Sequence, residues 1–92
     1  MDRVTEVGRG VKAREADLRQ VMADVFGVDT GEIGEDASID TVEAWDSLKH
    51  LNLVLALEER FGVSMTEQET VEILNYELIR AVLREHGVDF ED

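Results

Sequence analysis

Between Ala13 and Phe26 the apolar residues Leu18, Val21, Met22, Val25 and Phe26 return every three or four positions, the spacing of a helix with one buried face. That pattern predicts a first helix over about 13–26, closed by Gly27 in the position glycine often takes just past a helix end. The next eighteen residues, VDTGEIGEDASIDTVEAW, form too long a connection to be idle in so small a domain. Their spaced Val28, Ile33, Ile39, Val42 and Trp45 predict an irregular loop pinned to the core, a kind of segment that often carries function. Asp46 suits an N-cap, so a second helix should run from Ser47 to about Phe61, with Gly62 at its stop. Thr66 can cap a short helix through about Glu72, and Asn75 a last one from Tyr76 to about Glu85 that turns Leu78, Ile79, Val82 and Leu83 inward before Gly87. With almost no strand pattern, the expected fold class is all-α: a small four-helix bundle with a long loop between helices 1 and 2 and a short third helix.

The second helix has more apolar surface than a surface helix needs. Projected at about 100° per residue, Leu53, Val54, Leu57 and Phe61 form one stripe and Leu48, Leu51 and Leu55 a second, flanked by Lys49, Asn52, Glu58 and Glu59. One stripe is enough to face a core. The other must border a further helix, a ligand or a partner, and it begins immediately after Ser47.

Ninety-two residues make one small domain. Residues 1–12, with Gly8 and Gly10 among scattered charges, are expected as a mobile N-terminal leader, 13–87 as the folded domain and 88–92 as a C-terminal tail. Nine Lys and Arg against 22 Asp and Glu give a formal charge of −13. Val, Leu, Ile and Phe supply 28 of the 92 residues, enough for such a chain to fold. The acidity argues against nucleic acid and against adsorption to anionic membranes, and for basic protein partners whose approach it would steer. No apolar run nears the roughly 18 residues of a membrane span, and MDRVTEVGRG lacks the apolar segment of a signal peptide, so a cytoplasmic monomer is expected. There is no cysteine, which removes disulfides, thiolate metal sites and a thiol nucleophile. Thiol chemistry on this protein would need sulfur from outside the polypeptide.

If Asp46 is the cap, Ser47 is the first helical residue and its hydroxyl is spare. It should project into solvent at the end of a helix dipole, a site that suits an anion such as a phosphate ester. Taken alone, a Ser after an Asp at a helix start is ordinarily no more than part of a cap.

From about Glu15 to Glu85, however, the order helix, long loop, "DSL" opening a second helix, "LALEERFGV" closing it, then a short helix and a fourth, resembles the acyl carrier protein family. The "DSL" at Asp46 to Leu48 is weak by itself; its serine fourteen residues before Phe61, with "LALEE" between, is a specific combination. The resemblance implies that residues 13–87 are a carrier domain and that Ser47 bears a covalent 4′-phosphopantetheine arm ending in the missing thiol. It implies that a phosphopantetheinyl transferase installs the arm from coenzyme A with Mg²⁺, and that acyl-loading, condensing or acyl-transferring enzymes are the other partners. Acyl groups of a fatty acid, polyketide or related pathway would ride as thioesters on that arm. The chain itself would not be an enzyme. Partner contacts would come from Asp46, Leu48, Leu51, Leu55 and Glu59. Two departures from the family pattern stand out: Glu43 and Ala44 where leucine and glycine are common, and Lys49 and Asn52 where acidic residues are common. They point to specialised partner enzymes. Aminoacyl and peptidyl carriers share this fold and motif, and an unmodified acidic helical interaction module is the alternative from another class.

Other constellations are weaker. His50 and Asp46 flank Ser47, but one exposed helical turn cannot surround a substrate as a triad does, so His50 is expected to face solvent or a partner. His86 suits a helix C-terminus and has no second histidine near it in sequence to share a metal. The loop DTGEIGED fails the calcium-loop pattern, with Gly31 at the second ligand position and Asp40 at the twelfth, so no metal is assigned. Trp45 reads as an anchor of the loop, with contact to the arm or a partner as the alternative; Glu58 and Glu59 read as a solvated face or, for Glu59, a partner contact.

Overall fold

A computed structural model describes residues 11–91 of the chain. Helix α1 (Glu15–Phe26) begins where the backbone N–H of Arg14 donates to Asp17 at 2.9 Å and ends at Gly27, whose φ of +72° is left-handed backbone that favours glycine. Its Leu18, Val21, Met22 and Phe26 are buried, as the three-and-four spacing requires. Helix α2 (Ser47–Phe61) is capped by Asp46, whose Oδ1 accepts the Lys49 N–H at 2.9 Å, and stops at Gly62 with φ +68°. Helix α3 (Glu67–Glu72) opens on a reciprocal capping pair, Thr66 Oγ1 accepting the Glu69 N–H and Glu69 the Thr66 N–H. Helix α4 (Tyr76–Glu85) is capped by Asn75, which accepts from the Leu78 N–H at 2.8 Å.

The helices enclose one core. Leu18 and Met22 of α1, Leu53, Leu57 and Phe61 of α2, and Tyr76, Ile79 and Leu83 of α4 are its most buried large side chains. Tyr76 takes an inward place on α4 and Leu78, expected inward, is exposed instead. The reason is angular, because Tyr76, Ile79 and Leu83 already share one helix face and Leu78 lies more than a third of a turn from its centre.

The long loop is pinned as its apolar spacing predicts, though not by every residue. Ile33, Ala37 and Trp45 are buried, Val28 and Val42 half-buried, and Ile39 largely exposed. The pinning is also made by backbone: the Ile39 N–H donates to the Leu74 carbonyl and the Tyr76 N–H to the Ala37 carbonyl, a single bridge holding the loop against the start of α4. Trp45 packs on Phe26 with ring centroids 5.0 Å apart, which ties the loop's end to α1.

Strand pairing is the feature the pattern did not announce. β1 (Val11–Ala13) and β2 (Val88–Phe90) pair in parallel, and the Glu91 N–H continues the ladder to the Ala13 carbonyl. Thus Val11 and Lys12, expected in the leader, and Val88–Phe90, expected in the tail, join each other beside the bundle; Ala13, expected to start α1, belongs to β1. Three residues are too few to show alternation, so such a pair has no periodic signature. The remainder of the expected leader lies outside the described residues.

Candidate functional site

Ser47 is the first residue of α2 and is exposed. Asp46 satisfies the Lys49 N–H and its carbonyl accepts the His50 N–H, so the cap needs nothing from the serine hydroxyl. Among the described residues no hydrogen bond engages that hydroxyl. The N–H groups of Ser47 and Leu48 lie in the opening turn, where a helix of fifteen residues presents its positive end.

An open, mainly apolar groove of about 420 Å³ leads away from Ser47, lined by Ile39, His50, Leu51, Thr70, Val71 and Leu74. It lies where α2, α3, the link from α3 to α4 and the Ile39 part of the long loop meet. Leu48, Leu51 and Leu55 are 66, 58 and 64% exposed, so the second stripe of α2 is not buried against another helix among the described residues. Val71, also 64% exposed, extends that apolar surface onto α3. Asp46 and Glu59 are exposed at the N-terminal end of α2 and along it. The structure thus brings Ser47 and Leu51 together in the groove and leaves the other candidate contact residues on the surface around it.

His50, expected to face solvent or a partner, is half-buried at the groove, and both of its ring nitrogens are engaged within the fold. The Trp45 indole Nε1–H donates to its Nδ1 at 3.0 Å, and its Nε2 lies 2.7 Å from the Thr70 carbonyl oxygen. Indole can only donate, so Nδ1 accepts and the ring hydrogen sits on Nε2, donating to Thr70. Both nitrogens are thereby engaged away from Ser47 and Asp46, and a triad through His50 does not form. The spacing of five between Trp45 and His50 was visible in the sequence; Thr70, twenty positions on, left no local sign.

Other polar residues have structural partners as well. Glu58, expected on a solvated face, is half-buried and accepts the Met65 N–H at 2.8 Å, closing the turn after α2. His86 Nε2 lies 2.9 Å from Glu69 Oε1, linking the end of α4 to α3. The Thr66 backbone N–H first, and His86 next, hold the Glu69 carboxyl below its ordinary range.

The groove and hydroxyl suit a long, flexible group joined through a phosphate: an unengaged oxygen at a helix N-terminus for the anionic end, apolar walls for the length of the group beyond it. No helix among the described residues is long and apolar enough to cross a membrane.

Comparison with known proteins agrees with this chemistry. A family model described as a phosphopantetheine attachment site matches residues 16–77. An acyl carrier protein of Solidesulfovibrio magneticus is 35% identical over 57 residues, covering 61% of this chain and 72% of its own length. One from Helicobacter pylori is 32% identical over 59 residues, covering 64% and 76% respectively. A polyketide synthase acyl carrier protein of Streptomyces avermitilis is 34% identical over 70 residues, covering 72% and 80%.

Proposed function

Because the chain belongs to the acyl carrier protein family, whose members hold 4′-phosphopantetheine covalently, we propose that Ser47 is the residue that carries the arm. The observation that supports this most directly is the Ser47 hydroxyl, exposed at the head of α2 with its capping duty taken by Asp46. In the loading reaction Ser47 Oγ forms a bond to phosphorus, the pyrophosphate P–O bond of coenzyme A breaks, and the hydroxyl proton and adenosine bisphosphate leave through the transferase. Nothing in this chain needs to act as the base. The first-turn N–H groups of Ser47 and Leu48 favour the resulting phosphodiester by ~0.3 to 1 kcal/mol.

The arm supplies the thiol on which an acyl group rides as a thioester. The protein's own residues present that group: Leu51, Val71 and Leu74 give it an apolar resting surface, while Leu48, Leu55, Asp46 and Glu59 face partner enzymes. Tethering raises the local concentration of cargo at each partner's active site. The cargo is an acyl intermediate of a fatty acid, polyketide or related pathway, and the loading, extending and releasing chemistry belongs to the partners.

The test is intact mass after incubation with coenzyme A, Mg²⁺ and a promiscuous phosphopantetheinyl transferase. Wild-type protein should gain one phosphopantetheinyl unit and Ser47→Ala none. A gain that persists in Ser47→Ala would place the arm elsewhere.

A further inference from the structure

His50 joins three elements at the edge of the groove: the long loop through Trp45, α2 on which it sits, and α3 through Thr70. The contact with α3 is notable for what it satisfies. Thr70 lies in the last turn of a helix, and the N–H that would continue the ladder to its carbonyl, that of Leu74, donates to Glu72 instead. The imidazole fills that gap. Helix α3 has six residues and no buried side chain within them, so propensity does little to fix it and its core packing comes from Ile73, the buried residue at its C-terminal end. Its N-terminal end is held by the Thr66 and Glu69 cap and by His86; its C-terminal end is held to α2 by His50. Val71 and Leu74, beside Thr70, form the far wall of the groove that starts at Ser47, one turn before His50.

We propose that His50 is a positioning residue for the loading of Ser47: a strut that keeps the Trp45 loop and the end of α3 at a set separation, so that the transferase meets the serine and its groove already formed. The inference rests on the reading of Ser47 as the attachment site. A surface held in its bound arrangement loses less conformational freedom on docking, so removing the strut weakens recognition. The chemical step at the hydroxyl, supplied by the transferase, is left as it was. The two halves of the strut are separable by side-chain length. Asn places an acceptor oxygen near Nδ1 and retains the Trp45 bond; Gln reaches as far as Nε2 and retains the donor to Thr70.

The experiment takes the full chain as wild type, His50→Ala, His50→Asn and His50→Gln. Transferase kinetics are measured with coenzyme A in excess, alongside the ¹⁵N spectrum of the single tryptophan indole and the amide exchange rate of Ile73, whose N–H closes α3. In His50→Ala the KM for the carrier should rise about three- to tenfold with kcat within about twofold, the indole resonance should move, and Ile73 should exchange faster. Asn should restore the indole resonance and Gln the Ile73 protection, each with an intermediate KM. Unchanged KM in His50→Ala, or a fall in kcat with KM unchanged, overturns the proposal. If the Ala variant does not fold, wild-type KM in both Asn and Gln overturns it equally. Failure of the wild-type chain to take the arm would remove the Ser47 reading, and this proposal with it, and is seen without any variant.

Discussion

The Tyr76 hydroxyl donates to Glu15 Oε1 at 3.0 Å, joining the first turn of α4 to the first turn of α1 across 61 positions of chain. Arg80 meets the other oxygen of the same carboxylate at 2.9 Å, and the guanidinium groups of Arg19 and Arg80 lie 5.7 and 5.6 Å from the Tyr76 ring centroid. The ring itself is fully buried. Tyr76→Phe keeps the packing and removes only the hydroxyl, leaving a shielded carboxylate one donor short. Urea unfolding should show a loss of about 1 to 2 kcal/mol, with the far-UV spectrum unchanged.

The same hydroxyl makes stability sensitive to alkali. Burial, and then its bond to Glu15, push the Tyr76 phenol from 10.0 up to about 12. Below its unfolded value of 10.0 the phenol is protonated in both states and its stabilising contribution is whole. Between 10.0 and about 12 the unfolded chain loses the proton first, so stability falls as pH rises through that window. Comparing urea midpoints at pH 9 and 11 (roughly, the two sides of the ordinary tyrosine value) should show a drop in wild type that is smaller in Tyr76→Phe. Equal drops in the two proteins would contradict the assignment.

At the acid end the corresponding group is Glu69. Its carboxyl is lowered from 4.5, chiefly by the Thr66 backbone N–H and then by His86. A depressed carboxylate contributes stability that is complete above the unfolded value and is lost as pH falls through the lower folded one. The Glu69 side-chain resonances should therefore titrate with a midpoint below 4.5. Glu69→Gln keeps an acceptor for Thr66 and should remove this acid-dependent part of α3's stability; a titration at or above the ordinary glutamate value would refute the assignment.

These pairs show what a sequence reveals and what it leaves dark. Asp46, Thr66 and Asn75 were legible as caps because capping is local, settled within three residues by a side-chain oxygen and a free N–H. The burial of Leu53, Leu57 and Phe61 was legible in the helical period of α2, and so was the separate stripe of Leu48, Leu51 and Leu55, but the exposure of that stripe was not, since the period fits a further helix as well as a partner. Tyr76 to Glu15, His50 to Thr70 and the pairing of Val11–Ala13 with Val88–Phe90 were not, since each joins segments that only the assembled fold brings together. Ile39 shows the limit of composition: an apolar residue in a pinned loop read as an anchor, yet it lines the open groove beside Ser47.

Asp46 has two roles that one substitution separates. Its Oδ1 caps α2 through the Lys49 N–H, and its charge stands on the surface beside Ser47. Asp46→Ala should cost about 1 kcal/mol as the cap is lost, whereas Asp46→Asn retains an acceptor and should cost a few tenths at most. If the charge also guides a basic partner, Asn should slow association with the transferase at low salt, and the difference from wild type should shrink as salt is added. Identical association rates at low salt would leave Asp46 with the cap alone.

The two stripes of α2 give the sharpest separation of folding from function. Leu53 is fully buried in the core that α2 shares with α1 and α4, so Leu53→Ala should cost about 2 to 5 kcal/mol in urea unfolding. Leu51, two positions earlier, is 58% exposed on the groove, and Leu51→Ala should change stability by no more than about 0.5 kcal/mol. Its loss should appear where cargo and partners are handled. Once the arm is installed and acylated, shortening this side chain strips apolar surface from the wall nearest Ser47, and transfer of the acyl group to a partner enzyme should show a raised KM for the carrier with folding intact. Leu51→Met, which keeps the apolar surface, should restore it. A Leu51→Ala protein that unfolds as easily as Leu53→Ala would mean that the second stripe belongs to the core after all, and the outward-facing reading of α2 would fall with it.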